Sequence, residues 1–299
     1  MSSKSIDDIK TVMVAGAGTL GLRIALRCAY DGYAVKLYDI HNEQLEAAQA
    51  MQAKLTSRFL RHGKITQTQA DLANANLIVT NDIGEATRDI DLVSESVIEN
   101  VELKKEFYRD LTPRLDNDVV VTTNTSYLLP SDLIDSIAHP EQFCALHFHD
   151  VFNQLIVDVM PHAATSQSVV DLLMSFGKSI NQIPVYVKKE HSGYMFNAML
   201  MAILGEASDL FINGVGSFQD IDRSFMGNFG TVSGPFGMMD QVGLDTVLHI
   251  LSARNDARSI ALSEVIKSYT DKGELGYKSG KGFYSYPGPE FAQKEFLKA

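Results

Sequence analysis

A glycine turn set between two short apolar runs, Thr11–Asp39 (TVMVAGAGTLGLRIALRCAYDGYAVKLYD), restricts the fold of this chain more than any other stretch. Val12-Met13-Val14-Ala15 is too short for a helix and β-branched enough for a buried strand. The turn Gly16-Ala17-Gly18-Thr19-Leu20-Gly21 fits Gly-x-Gly-x-x-Gly, and Leu22–Tyr30 reads as a helix stopped at Asp31-Gly32. A second strand, Ala34–Tyr38, ends in Asp39. Gly16 permits the sharp turn, Gly18 lets backbone approach a pyrophosphate, and Gly21 lets the helix sit close on the strand. The N–H groups of Thr19, Leu20 and Gly21, at the start of the helix, face that phosphate with the positive end of the helix dipole. Asp39 falls roughly 20 residues on, where a carboxylate accepts the ribose hydroxyls. Ile40 and His41 follow it, so a 2′-phosphate would meet repulsion without compensation. The expected cofactor is NAD rather than NADP. A glycine turn without ligand is the plainer alternative, but strand, helix, strand and acid all fall in order.

The 299 residues suggest two domains or one large one. With 45% hydrophobic and 21% charged residues the composition is that of an ordinary globular protein. A net charge of −11 argues against nucleic acid or an anionic membrane as partner, but not against a small anionic ligand held by a local basic patch. Cys28 and Cys144 give no disulfide framework and read as buried fillers. The polar N-terminus and the lack of long apolar runs make a cytoplasmic protein the default expectation.

Beyond Asp39 a long helix is expected with Asn42 as its cap and Leu45, Ala48, Met51, Leu55 and Phe59 on one face. A second helix starting near Thr66 completes an inserted hairpin. Its Lys54, Arg58, Arg61 and Lys64 are either a solvated face or a site for a phosphate-bearing substrate tail. Strands are then expected at 77–80, 91–95, 118–122, 143–148, 155–160 and 183–187, with a helix over 101–109. Alternating strands and helices predict an α/β, Rossmann-type, doubly wound sheet over residues 1–188, with ligands outside the strands' C-terminal ends. From 189 to 299 the chain is Met-, Phe- and Ala-rich and reads as an all-α domain, whose apolar stripe is core or subunit interface.

Oxidation of an alcohol needs a base near neutrality and a donor for the oxygen. Of eight histidines, His147 ends a strand on the cofactor side, and His149 is close enough to be a second polar wall. His41, His62, His139 and His162 read as surface residues. Asp158 is the carboxylate expected to face His147 from a neighbouring strand, against the plainer reading of a surface acid. Ser126 either holds a substrate oxygen or caps a helix. Asn197, in an apolar helix, requires a partner, a substrate carbonyl being one candidate. Cys/His metal spacing, nucleophile elbow and P-loop patterns are absent, so no metal is expected.

GAGTLG at 16–21, SESVIENVELKKEF at 94–107, TNTSYL at 123–128, ALHF at 145–148, GYMFN at 193–197, GPFGMMDQVGLDT at 234–246 and KSGKGFY at 278–284 together resemble the L-3-hydroxyacyl-CoA dehydrogenase family. The resemblance implies NAD-dependent oxidation of a 3-hydroxyacyl-CoA to the 3-ketoacyl-CoA, in fatty acid metabolism. It makes His147 the base, Asp158 its orienting acid, and Ser126 and Asn197 the holders of substrate oxygens. Glu99, Lys104 and Lys278 become cofactor contacts, and Arg58, Arg61 and Lys64 lie where the CoA tail is met. It also implies a homodimer through the C-terminal domain. Departures lie on the substrate side: the family's Phe-Asn-Pro reads Phe148-His149-Asp150, Asp158 replaces a glutamate after a shorter loop, and the surroundings of Asn197 read Ser192-Gly193 and Ala198. Two alternatives stand beside it. One is a dehydrogenase of a free hydroxy acid, similar to L-gulonate 3-dehydrogenase and lambda-crystallin, which VKLYDI and ELKKEF also resemble. The other is a non-catalytic NAD-binding protein.

Overall fold

A computed structural model describes residues 4–252 and 257–298. Short apolar runs form eight strands, those at the centre of the sheet buried on both faces and the edge strands partly exposed. These are β1 (Thr11–Ala15), β2 (Ala34–Tyr38), β3 (Leu77–Thr80), β4 (Leu92–Glu95), β5 (Val120–Thr123), β6 (Phe143–Phe148), β7 (Ile156–Met160) and β8 (Ile183–Tyr186). They make one sheet in the order β3-β2-β1-β4-β5-β6-β7-β8, parallel throughout except for the β6–β7 pair. The chain works outward from β1 through β2 and β3, then returns to start again at β4. The C-terminal ends of β1 and β4 are therefore the switch point where a doubly wound sheet opens a ligand crevice.

Helices α1 (Thr19–Tyr30), α2 (Asn42–Arg61), α3 (Gln67–Asn76), α4 (Ile83–Ala86), α5 (Val101–Leu111) and α6 (Gln167–Ser179) accompany the sheet. Strand alternation sorts the core. Val12 and Val14 pack in one cluster with Leu22, Ile24, Phe148 and Phe176, whereas Met13 and Ala15 join Val93, Tyr108 and Val121 in another. Both cysteines are buried and free, as the sequence suggests, and burial pushes the Cys28 thiol up to about 12.

Three local expectations are corrected. Asn42 is the first residue of α2 rather than its cap, which is His41. Met51 is exposed, because α2 buries only Leu45, Ala48 and Phe59. His162 is buried at 5% exposure, since its ring turns inward between the carbonyl of Pro140 (3.0 Å from Nε2) and the N–H of Ala164, which donates to Nδ1 at 3.2 Å. The second arm of the hairpin starts as read: Thr66 caps α3, accepting from Gln69 N while its own N–H donates to Gln69 Oε1.

The contacts divide the chain into two units after Met195, against the 188 read from composition. Residues 189–195 stay with the sheet because Tyr194 is anchored there, as described below. The second unit holds α7 (Phe196–Ile212), α8 (Phe218–Phe229), α9 (Pro235–Val242), α10 (Leu244–Ser252) and α11 (Ala257–Thr270), with an ordered tail of turns. Its core of Phe236, Met239, Leu244 and Ile266 encloses two buried aspartates. Asp222 accepts from the N–H groups of Phe236 (2.8 Å) and Gly237 (2.9 Å) and from the Tyr284 hydroxyl (3.0 Å), so it ties α8 to the start of α9 and to the tail. Asp240 accepts from the N–H groups of Phe283 and Tyr284 and from the Tyr286 hydroxyl. The GPFGMMDQ and KGFY segments are thus joined by carboxylates that satisfy otherwise orphaned backbone donors.

Candidate active site

At the switch point the glycine turn has no room for side chains where the fold is tight and stays open where a phosphate would sit. Gly16 has φ +102°, and a Cβ there would lie 2.4 Å from the Ser96 carbonyl oxygen. A Cβ on Gly21 would fall 1.9 Å from the Gly16 carbonyl oxygen. Gly18, the residue preceding α1, has nothing within 4 Å of its Cβ direction, and no side chain caps the helix. The start of α1, at Thr19, Leu20 and Gly21, thus lacks a side-chain cap and lies beside open space at Gly18, which fits an anionic ligand. Asp39 closes the turn: one carboxylate oxygen accepts from Ala17 N at 2.9 Å and the other from His41 N at 3.0 Å. These residues fit the pyrophosphate and ribose of a dinucleotide.

The antiparallel β6–β7 pair sets His147 directly opposite Asp158. His147 Nδ1 stands 3.1 Å from Asp158 Oδ2, and its Nε2 is 3.3 Å from Ser126 Oγ. Asp158 is not a surface acid, being 1% exposed. Burial pushes its carboxyl up, but hydrogen bonds from His147 and His149 outweigh that and hold it below the ordinary range. For His147 burial dominates and lowers its pKa against the raising influence of Asp158, leaving a neutral imidazole at neutral pH. An Asp on Nδ1 fixes the Nδ1–H tautomer, so Nε2, the nitrogen facing Ser126, carries the lone pair.

Ser126 is placed by Glu99. One Glu99 oxygen accepts from the Thr125 hydroxyl, from Ser126 N at 2.9 Å and from Tyr127 N at 3.3 Å. Lys104, entered on α5 behind an Asn100 cap, is 1% exposed and lies 3.4 Å from Glu99. Its main partner is Glu95, at 2.6 Å. Glu95 ends β4 fully buried and also accepts from Tyr108 OH, Thr123 Oγ1 and Val97 N, each at 2.8 Å. A buried carboxylate so fully satisfied anchors the strand ends beside the glycine turn. Glu95 is a site residue the sequence reading overlooks, although its place at the end of a buried strand, nine residues before Lys104, signals it.

Tyr194 is the other omission. Its ring stacks on His147 at 4.5 Å and 8°, and its hydroxyl donates to Thr125 O at 2.8 Å. It holds φ +54°, a left-handed backbone uncommon for a bulky residue. Val151, in the loop after β6, is a second such residue at φ +78°. Tyr194 borders the His147 site directly, a usual place for strain held by surrounding structure.

Of the basic residues on the hairpin, Arg58 and Lys64 line a cavity of about 360 Å³ with Arg23, His62, Asp150 and Asn153, and Arg61 is not among the lining residues. Lys64 there donates to Phe152 O (3.0 Å) and Asn153 Oδ1 (3.1 Å), and Arg23 pairs with Asp150 at 2.6 Å. Asn197 and Lys278 belong to the second unit. Asn197 lies in the first turn of α7, and Lys278 is paired with Asp245 at 2.6 Å. Among the described residues, His147, His149 and Asp158 bring three metal-ligand-type atoms within 4.8 Å, and the hydrogen bonds among them account for that closeness. No described helix is long and apolar enough to cross a membrane.

Comparison with known proteins agrees with this geometry. Residues 11–191 match the model of the 3-hydroxyacyl-CoA dehydrogenase NAD-binding domain, and residues 193–286 that of the family's C-terminal domain. The chain is 28% identical to a probable 3-hydroxybutyryl-CoA dehydrogenase of Bacillus subtilis, over 93% of this chain and 98% of the relative. It is 29% identical to the 5-formyl-3-hydroxy-2-methylpyridine 4-carboxylate 5-dehydrogenase of Mesorhizobium japonicum, over 93% of this chain and 91% of the relative. A solved diketoreductase structure superposes with a TM-score of 0.89 at 33% identity, covering 93% of this chain and 99% of that one. With NAD as its cofactor, this chain belongs to the 3-hydroxyacyl-CoA dehydrogenase family.

Proposed function

We propose that the protein oxidises a 3-hydroxyacyl-CoA to the 3-ketoacyl-CoA, and runs the reverse reduction, with His147 as general base. The observation that carries this reading is the His147–Asp158 pair with Ser126 on the opposite ring nitrogen. NAD, when bound, supplies the hydride acceptor. His147 Nε2 takes the substrate hydroxyl proton, and Asp158 stabilises the imidazolium that results. Ser126 donates to the substrate oxygen and is oriented by Glu99 through its own N–H. The family pattern assigns Asn197 to hold a substrate oxygen as well. Arg58 and Lys64 offer positive charge to the phosphates of a CoA tail. Exposed apolar residues of the second unit, among them Met199, Phe229 and Val232, support a homodimer formed through that unit. The test is purified protein with acetoacetyl-CoA and NADH: NADH consumption no faster than that of a His147→Ala control would sink the acyl-CoA reading.

A second substrate class, a free hydroxy acid or dicarbonyl compound, is supported by the 33% identity to the diketoreductase. Lys64 is also already engaged by the 152–153 loop. On that reading CoA does not bind, and charge reversal at Arg58 and Arg61 leaves activity unchanged. A CoA-induced rise in melting temperature in the presence of NAD separates the two.

A further inference from the structure

His149 replaces the asparagine of the family pattern, and in this fold it is not a bystander. His149 lies in the bend just after β6, and its ring comes to the same side as that of His147. His149 Nε2 lies 3.0 Å from Asp158 Oδ2, the same oxygen that His147 Nδ1 meets at 3.1 Å. The two rings stand 4.7 Å apart at 64°. One carboxylate oxygen therefore serves two imidazoles, and all three side chains are almost wholly buried.

The loop that carries His149 is built to hold it there. Asp150 accepts from the N–H groups of Phe152 and Asn153 with one oxygen, and with the other binds Arg23 on α1. Val151 gives its carbonyl to the Gln182 side chain at 3.0 Å and keeps its left-handed backbone. An aspartate at 158 reaches about one methylene less far than the family's glutamate, so a second donor that fixes its rotation has a physical use. The same arrangement also divides the charge of Asp158. The other groups facing His147 are the Ser126 hydroxyl, the flat face of Tyr194 and, at longer range, the carboxylate of Glu99.

We propose that His149 is a positioning residue for this pair: its ring N–H pins the one Asp158 oxygen that His147 also uses, and so holds that carboxylate in place against His147. The inference rests on the reading of His147 as base, and its test separates the two. His149→Phe removes the donor to Asp158, whereas His149→Gln restores one. The expected result for His149→Phe is a roughly tenfold loss of kcat, the scale for a lost hydrogen bond to a charged group, with KM little changed. The acid limb of the kcat/KM profile for oxidation should move to higher pH, because Asp158 then serves His147 alone. His149→Gln, which shares Asp158 again, should recover much of kcat and return the limb toward its original place.

The titration of the His147 ring, followed by NMR in isotope-labelled protein without substrate, gives a readout that needs no turnover. An unmoved His147 titration in both variants, with melting temperature and NAD binding intact, overturns the proposal. A moved titration in a protein whose turnover does not depend on His147 would leave the proposal standing and overturn the catalytic reading instead.

Discussion

The phenol ring of Tyr194 lies flat on the imidazole of His147, with centroids 4.5 Å apart and planes 8° from parallel. Stacking on one face, Asp158 on Nδ1 and Ser126 on Nε2 leave the imidazole little freedom to turn. Tyr194→Phe keeps the ring and loses only the bond to Thr125 O, so it should lower stability by about 1 kcal/mol and leave kcat within about twofold. Tyr194→Leu opens the stacked face, and kcat should fall on the order of tenfold as the base is misplaced. Steady-state kinetics beside thermal melts separate the two effects. Equal kcat values for the two variants would mean that the stack does not orient His147.

Burial holds the pKa of His147 below its ordinary 6.5, with Asp158 opposing that fall. Oxidation needs the neutral ring, so its rate should persist to pH values under 6.5 and decline only below that. Reduction needs the proton on the ring and should gain as the pH falls over the same window. The linkage has the same sign for stability. A histidine whose folded pKa is depressed binds protons more readily when unfolded, so its contribution is present above 6.5 and is lost as the pH drops. Parallel pH profiles in both directions check this, and a reduction rate that rises with pH would contradict it.

Asp39 both closes the glycine turn and faces the expected ribose site. Asp39→Asn weakens charge-assisted hydrogen bonds worth about 1.5–3 kcal/mol, so the KM for NAD should rise roughly 10- to 100-fold. The preference over NADP should shrink in the same variant, because the repulsive charge is gone. Coenzyme kinetics with NAD and NADP, read against the melting temperature, decide whether the loss is local.

In the second unit burial pushes the carboxyl of Asp222 up to about 6, against the hydrogen bonds from Phe236, Gly237 and Tyr284 that lower it. An acid with a raised folded pKa favours the folded state when protonated, so this group adds stability as the pH falls from about 6 toward its unfolded value of 3.8. Removing the acceptor is a different matter. Asp222→Ala orphans two N–H groups at the start of α9 and the Tyr284 hydroxyl, and should cost about 3 kcal/mol or more. Calorimetry across pH 4–7 on wild type and Asp222→Asn tests the first statement, since the asparagine variant should lack that slope.

Much of this architecture is legible in the chain because strand and helix periods differ. The run Val12–Ala15, the glycines behind it and Asp39 specify a dinucleotide turn by their order alone. The neighbouring strands 143–148 and 155–160 bring His147 near Asp158. Their register, which sets the two face to face, follows from an antiparallel pairing that the alternation of strands and helices does not announce. His162 shows a different limit: a polar residue in a turn reads as surface, yet the fold buries its ring between two backbone partners, Pro140 O and Ala164 N. Tyr194 follows Gly193 in a stretch whose composition reads as the start of a helix, and its ring reaches His147 only because the backbone enters the left-handed region. Side-chain direction at such points is set by long-range contacts that spacing does not encode.

Val151 offers the cleanest test of stored strain, since it is β-branched, fully buried and at φ +78°. Glycine is ordinarily about 0.5–1 kcal/mol worse than alanine in a folded element. At a left-handed position alanine retains a backbone cost of roughly 1–2 kcal/mol that glycine does not have. Both substitutions lose the packing of the valine methyls, about 0.8 kcal/mol per group, so that loss cancels in the comparison. Val151→Gly should therefore be at least as stable as Val151→Ala, reversing the ordinary order. Denaturant unfolding of the pair measures the difference directly. A glycine variant less stable than alanine by about 1 kcal/mol would show that the loop holding His149 is relaxed at Val151, and that the hydrogen bonds of Asp150 and Gln182 alone fix its course.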